Sequence, residues 1–170
     1  MVHTDNALLA ELLKESMSKG IHPKLTINSN SMTPLLWCGD EILLEPITID
    51  QIESGDLLTL TTESDLLTHR YWRRLVQEEQ EFLITRGDRP LLFDAPVRPE
   101  QIIGRVCVRQ RNGRQLHLCH GRGNWLNRQL ANLARAESRW VNSHDHSSWR
   151  TTIIRKGVWW WAKILTQLVR

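Results

Sequence analysis

The pattern of hydrophobic and polar positions divides the chain into three parts. In residues 5–19, leucines and one methionine recur at helical spacing above a polar face, and Gly20 follows as a natural stop. From residue 24 to about 118, short apolar runs alternate with turn-forming residues, which is typical of β-strands. Helical spacing returns in residues 125–140 and again from Val158. The pattern therefore predicts one helix, a β-rich region and two further helices.

The central region contains many short apolar runs at regular intervals, with no alternation of strands and helices. The Arg111-Asn112-Gly113-Arg114 stretch predicts a hairpin turn between the last two runs. Runs of this length and number predict a mainly β fold, an antiparallel barrel-like or coiled sheet flanked by an N-terminal helix and C-terminal helices. The predicted strands are 25–27, 41–46, 57–61, 66–76, 81–85, 102–110 and 115–118.

Three units follow from these patterns. We expect an N-terminal amphipathic helix in residues 1–22, a β domain in 23–118 and a basic, tryptophan-rich helical tail in 119–170. The Gly121-Arg122-Gly123 segment is predicted to be the linker into this tail. The helix in the first unit is expected to pack its leucines on the β domain, because its polar face is ordinary.

Composition narrows the class of protein. The chain has 170 residues, enough for one domain with its own core. Its three cysteines are odd in number and show no CxxC spacing, which argues against a disulfide framework or a zinc ribbon. It contains neither a signal-peptide pattern at the N-terminus nor a long apolar run. These features predict a cytoplasmic protein with reduced thiols.

Charge is distributed unevenly along the chain. Residues 1–118 carry 13 basic and 17 acidic residues, a formal charge of −4, whereas residues 119–170 carry nine and two, a charge of +7. A basic tail on a mildly acidic domain needs its own explanation.

The β region contains the residue types of a hydrolytic site. Ser31, His69 and two aspartates, Asp88 and Asp94, follow in that chain order, each beside Gly, Pro or β-rich sequence. A serine hydroxyl is a poor nucleophile at neutral pH and needs an adjacent base, which in turn needs an orienting group. Serine, histidine and aspartate are common, so these residues alone predict no activity.

Their surroundings resemble the type I signal peptidase superfamily of serine endopeptidases. Six segments match in order over residues 29–106, at spacing similar to that of the family. They are Ser29-x-Ser31-Met32-x-Pro34, Gly39-Asp40, Gly55-Asp56, Leu67-Thr68-His69-Arg70, Thr85-Arg86-Gly87-Asp88 with Asp94, and Ile102-Ile103-Gly104-Arg105-Val106.

The superfamily has two versions of the base. Common bacterial members and the self-cleaving repressors use lysine, whereas endoplasmic-reticulum-like, archaeal and some spore-former members have histidine at that place, which is His69 here. The chain has no lysine anywhere in residues 25–155, so no lysine from the β region can replace His69. Arginine stays protonated in proteins and cannot serve as the base.

The resemblance implies a role for each residue. Ser31 would be the nucleophile, and His69 would take its proton and later protonate the leaving amine. Asp94 would orient the imidazole, and the Ser31 N–H with the Ser29 hydroxyl would form the oxyanion hole. Asp88 would have a structural part near the site, paired with Arg70. The family's pockets favour small side chains before the scissile bond, and the resemblance implies no cofactor and no metal.

The chain also departs from the family pattern. Arg89-Pro90 stands where the family often has two asparagines, and Phe93 stands where it often has another acid. Asp88 therefore remains an alternative to Asp94 as the partner of His69. Two other functions also stay open: a catalytically degenerate binding module with the same fold, and an autoproteolytic regulator. The regulator is disfavoured because the family lysine is absent and no helix-turn-helix precedes the β region.

The tail contains two further candidate sites. His144, Asp145 and His146, with Cys119-His120, offer metal-ligand residue types, but a polar loop flanked by Ser and Asn favours solvent exposure. Trp159, Trp160 and Trp161 are flanked by basic residues, which favours contact with a membrane surface or with a protein partner. Nucleic acid is not expected as a partner, because no recognition module is present.

Overall fold

The computed structural model describes residues 2–62, 65–140 and 149–168. A seven-stranded antiparallel sheet forms its centre, with one helix before it and two helices after it. The elements are α1 (Val2–Ser18), β1 (Lys24–Thr26), β2 (Glu41–Glu45), β3 (Leu57–Thr61), β4 (Leu66–Gln77), β5 (Gln80–Arg86), β6 (Ile102–Arg111), β7 (Arg114–His117), α2 (Gly121–Trp140) and α3 (Trp149–Leu168). The predicted mainly β class with flanking helices is confirmed.

The strand order is β1-β2-β6-β3-β4-β5, and β7 pairs with β6 outside this path. The long strand β6 therefore has β2 on one side and both β3 and β7 on the other. The path ends at β1 and β5, so in the described part of the chain the sheet is open and does not close into a barrel. Register shifts in the pairings of β6 with β2 and β3 interrupt its regular ladder.

The predicted hairpin turn lies between β6 and β7. Asn112 and Gly113 have φ angles of 50° and 74°, the left-handed conformations that a two-residue hairpin turn requires. The strands on either side pair directly, with Arg111 opposite Arg114. Asn-Gly is the residue pair best suited to this turn, which explains why the sequence alone located it.

The predicted linker is wrong, because residues 121–123 form the first turn of α2. A side chain at Gly123 would overlap the carbonyl group of His117. Glycine is therefore needed here because the helix starts directly against the end of β7. The sequence pattern cannot distinguish this close approach from a flexible connection.

Helix α1 packs on the sheet through fewer residues than predicted. Leu13 and Met17 are buried together with Ala10, whereas the leucines at positions 8, 9 and 12 are exposed. Met17 lies over Gly104 of β6, where a side chain would contact its sulfur atom. The buried stripe of α1 is therefore narrower than its leucine pattern indicates.

Two groups of buried side chains form the core. The larger group joins α1, the loop between β1 and β2, the sheet and residues of α2 and α3. The smaller lies between β3, β4, β5 and the chain before β6. None of the helices in the described ranges has both the length and the hydropathy required to cross a membrane.

Candidate active site

Ser31 lies in the loop between β1 and β2, and this loop is anchored by its own buried side chains. Met32, Leu35 and Leu36 are almost completely enclosed in the larger core. At the end of the loop, the Asp40 carboxylate accepts hydrogen bonds from the Arg111 guanidinium and from the Trp37 N–H. The half-exposed Ser31 side chain therefore sits on a loop that is fixed at both sides.

His69 lies on β4 and joins two of the predicted site residues. The Ser31 Oγ atom is 3.0 Å from His69 Nε2, and Asp94 Oδ2 is 2.7 Å from His69 Nδ1. A carboxylate can only accept a hydrogen bond, so the proton of a neutral His69 ring belongs on Nδ1. Nε2 is then the acceptor for the Ser31 hydroxyl proton. The structure thus brings Ser31, His69 and Asp94 into one hydrogen-bonded line.

Thr85, at the end of β5, holds Asp94 in two ways. The Asp94 N–H donates to the Thr85 carbonyl oxygen at 2.9 Å, and the Thr85 hydroxyl donates to Asp94 Oδ2 at 2.8 Å. The same carboxylate oxygen therefore accepts from both His69 and Thr85. The sequence analysis noted Thr85 as part of a motif but gave it no role.

Asp88 occupies a separate position, on the other side of the strand that carries His69. Its two carboxylate oxygens each accept from the Arg70 guanidinium at 2.7 Å, a bidentate pair. Arg70 follows His69 in β4, so its side chain points to the opposite face. Of the two aspartates that the sequence left as alternatives, the structure places Asp94 on His69 and Asp88 on Arg70.

Helix α2 completes the surroundings of Arg70. The Asn127 side-chain oxygen accepts from Arg70 Nη1 at 2.6 Å, and the Gly55 carbonyl accepts from the same nitrogen at 2.8 Å. Arg70 is only 1% exposed, so these acceptors replace the water that its charge has lost. Burial and the positive charge of Arg70 lower the pKa of Arg135, further along α2. The sequence gave no signal for Asn127, which looks like an ordinary polar helix residue.

The turn after β5 is tightly packed against the site. A side chain at Gly87 would meet His69 Nε2 and the Ser31 carbonyl, each at 3.0 Å, and Pro90 at 2.8 Å. The Arg89 N–H donates to the Ser31 carbonyl at 2.9 Å. Arg89-Pro90, a departure from the family pattern, therefore supports the serine loop through backbone and ring contacts.

Phe93, the other departure, belongs to an aromatic cluster. Its ring meets the Trp72 ring edge to face at 5.0 Å between centroids. The buried Arg86 guanidinium lies 4.5 Å from the centre of the Trp72 ring and also reaches Glu137 of α2. This cluster holds the loop that leads to Asp94, so a ring replaces the polar network that an acid would form.

A small cleft opens beside the candidate nucleophile. Its volume is about 180 Å³, and both Ser29 and Ser31 line it. The Ser29 hydroxyl lies 3.2 Å from Ser31 Oγ. The remaining walls come from the β1 segment 25–28, residues 65–68 of β4 and its approach, and Leu9 and Asn6 of α1.

A larger cavity of about 360 Å³ lies on the other side of the serine loop. One wall contains Thr33 and Pro34 of that loop, together with Asp88 and Arg89. The opposite wall consists of residues from α2 and α3. The proposed metal-ligand residues His144, Asp145 and His146 lie outside the described residues.

Comparison with known proteins gives no family for this chain. No protein-family model matches it, and no curated protein matches it.

Proposed function

We propose that this chain is a serine endopeptidase of the signal-peptidase type, and that its open antiparallel sheet is the catalytic domain of such an enzyme. The observation that carries the proposal is the continuous line from Ser31 Oγ to His69 Nε2, at 3.0 Å, and from His69 Nδ1 to Asp94 Oδ2, at 2.7 Å. A nucleophile bonded to a base, with the base oriented by a carboxylate, is the arrangement that activates serine in peptidases. The six motif segments in family order support the same assignment.

Each residue in the line has a chemical task. As Ser31 Oγ attacks a peptide carbonyl carbon, its proton moves to His69 Nε2, and the Asp94 carboxylate stabilises the imidazolium. His69 then gives this proton to the leaving amine, and an acyl-Ser31 ester remains. A water molecule, deprotonated by His69, attacks the ester, releases the carboxylic acid and restores the serine hydroxyl.

Ser29 is the side chain best placed to stabilise the oxyanion. The carbonyl carbon under attack bonds to Ser31 Oγ, so its oxygen lies within bonding reach of groups near that atom. The Ser29 hydroxyl is 3.2 Å from Ser31 Oγ and can rotate its proton towards such an oxygen. The Ser31 N–H is the second donor in this proposal.

The cleft beside Ser31 fits a peptide better than a whole small molecule. Its volume of about 180 Å³ is below the roughly 300–1,000 Å³ typical of small-molecule sites. Apolar side chains of β1 and β4, including Leu25 and Leu67, line it. Short apolar side chains on the substrate residues before the scissile bond would fill this space.

Labelling with an alkyl fluorophosphonate tests the proposal without a known substrate, because the probe reacts with activated serine hydroxyls. We expect covalent labelling of the wild-type protein at Ser31, identified by peptide mass, and no labelling of Ser31→Ala. His69→Ala and Asp94→Asn are expected to lower the rate by at least about 100-fold, since each removes part of the proton-transfer system.

Ser18→Ala is the matched control, because Ser18 is an exposed serine at the end of α1. It should label at the wild-type rate. If the wild-type protein is folded and remains unlabelled, the peptidase proposal is wrong, and the binding module with the same fold takes its place. Labelling that is unchanged in His69→Ala would also overturn the proposed mechanism.

A further inference from the structure

We propose that α3 binds the surface of an anionic lipid bilayer through an outward face formed by Trp160, Trp161 and Ile164, called here the tryptophan face. These three side chains are 59%, 63% and 43% exposed. Successive residues of an α-helix are about 100° apart, so the three occupy a continuous arc of roughly 100°. Large apolar side chains that are exposed together, rather than singly, mark an interaction surface.

The opposite side of α3 is already used within the molecule. Ala162 is buried in the larger core, and α3 packs against α2. Val158 and Trp159 line the 360 Å³ cavity next to the serine loop. The three consecutive tryptophans therefore have different surroundings: Trp159 faces the domain, whereas Trp160 and Trp161 face outward. Rotating α3 to bury the tryptophan face would expose this packed side.

The charge of α3 fits an anionic partner. Its 20 residues include four basic and no acidic residues. The Lys163 ammonium lies 4.9 Å from the centre of the Trp159 ring and 5.7 Å from that of Trp160, so it sits beside the tryptophan face. Indole rings favour the boundary between lipid headgroups and acyl chains, and nearby cations favour anionic headgroups.

Charge also argues against a second copy of the chain as the partner. Two α3 helices that met through their tryptophan faces would bring basic residues together with no acidic residues on either helix to neutralise them. Like charges across an interface oppose association. A bilayer with acidic headgroups supplies both the apolar depth for the indoles and the opposite charge.

Bilayer binding through this face would place the serine loop near the lipid. The cavity shared by α3 and the serine loop lies on the side of α3 that faces the domain. One helix diameter, about 10–12 Å, then separates that cavity from the headgroups. The binding proposal itself does not depend on the proposed peptidase activity.

Co-sedimentation of the full chain with phosphatidylcholine vesicles, with and without about 30% phosphatidylserine, tests the inference. We expect binding to the anionic vesicles that is at least about tenfold weaker without phosphatidylserine and weaker when salt rises from about 0.1 M to about 0.5 M. Trp160→Ala/Trp161→Ala should weaken binding by at least about tenfold, because both indoles are removed from the interface. Lys163→Gln should weaken it about fivefold.

Trp125→Ala is the matched control, since Trp125 is an exposed tryptophan on α2 that lies outside the tryptophan face. It should bind within about twofold of wild type, and thermal melts verify that every variant is folded. Undetectable wild-type binding, or full binding by the double variant, would overturn the inference. Self-association that needs Trp160 and Trp161, without vesicle binding, would assign the face to a second copy instead. Ser31→Ala should bind vesicles like wild type, so failure here is distinguishable from failure of the peptidase proposal.

Discussion

At the scale of single residues, the closest packing in the candidate site is at Gly87. The position leaves no room for a side chain between Pro90, His69 Nε2 and the Ser31 carbonyl. A glycine in this turn allows the serine loop and the histidine strand to approach within hydrogen-bonding distance. The site thus depends on a residue that contributes no functional group.

We expect Gly87→Ala to lower the rate of fluorophosphonate labelling by at least about 100-fold, because the new methyl group would displace His69 from Ser31. Its Cβ atom would lie 3.0 Å from His69 Nε2, which is closer than carbon and nitrogen atoms normally approach. Labelling kinetics and a thermal melt separate loss of the site from loss of the fold. Gly157→Ala is the control, because nothing lies within 4 Å of a side chain there. Wild-type labelling by Gly87→Ala would contradict the geometry.

At the scale of elements, α2 is part of the support for the site. It contributes Leu126 and Leu130 to the larger core and Asn127 to the buried Arg70 guanidinium. Arg70 in turn holds Asp88, two residues before the end of the turn that contacts Ser31. The helix therefore acts on the site through packing and hydrogen bonds, at a distance from the reacting atoms.

Replacing Asn127 by alanine should destabilise the protein by about 1.5–3 kcal/mol, because it removes a hydrogen bond to a buried charge. For a chain of this length that corresponds to a fall in Tm of roughly 3–12 °C, measurable by thermal denaturation. Asn132→Ala is a suitable comparison, since the Asn132 side chain is exposed on the same helix and bonds to the exposed Arg135 side chain. It should change stability by less than about 0.5 kcal/mol. Equal effects of the two substitutions would exclude a special role for Asn127.

At the scale of the whole molecule, two thiols connect stability to pH. Burial raises the pKa of Cys107, and burial together with the negative charge of Glu45 raises that of Cys119 from 9.0 to about 12. Between those two pH values the unfolded chain loses the Cys119 proton while the native protein keeps it. The free energy of unfolding therefore falls as pH rises through this range, and the contribution is fully present below pH 9.

Thermal melts of wild type and Cys119→Ala, from about pH 7.5 to about pH 10.5, test this expectation. The wild-type Tm should fall more steeply above pH 9 than the Tm of the variant, because only the wild type has this thiol to ionise on unfolding. Each protein is compared with itself at lower pH, so a general loss of stability in the variant does not affect the result. Parallel curves would show that the Cys119 thiol is not protected in the native state.

The sequence by itself determined the features that depend on neighbouring residues. Strands, turns and the first helix follow from local periodicity and from turn residues such as Asn112-Gly113, whose backbone conformations are set within a few residues. The absence of lysine from residues 25–155 restricted the base to histidine without any structure. The set of candidate residues was likewise readable, because their types define the chemistry that they can perform.

Only the tertiary structure decided how those residues are arranged. Asp94 and Asp88 are equally acidic and six residues apart, and the path of the chain after β5 brings one to His69 and the other to Arg70. The need for glycine at position 123, the burial of Arg70 by Asn127 and the different exposure of Trp159 and Trp160 follow from contacts between distant segments. Periodicity identifies a face, but only the neighbour that packs on it determines which side chains remain outside. That is the physical reason why the chemistry was legible in the sequence and its geometry was not.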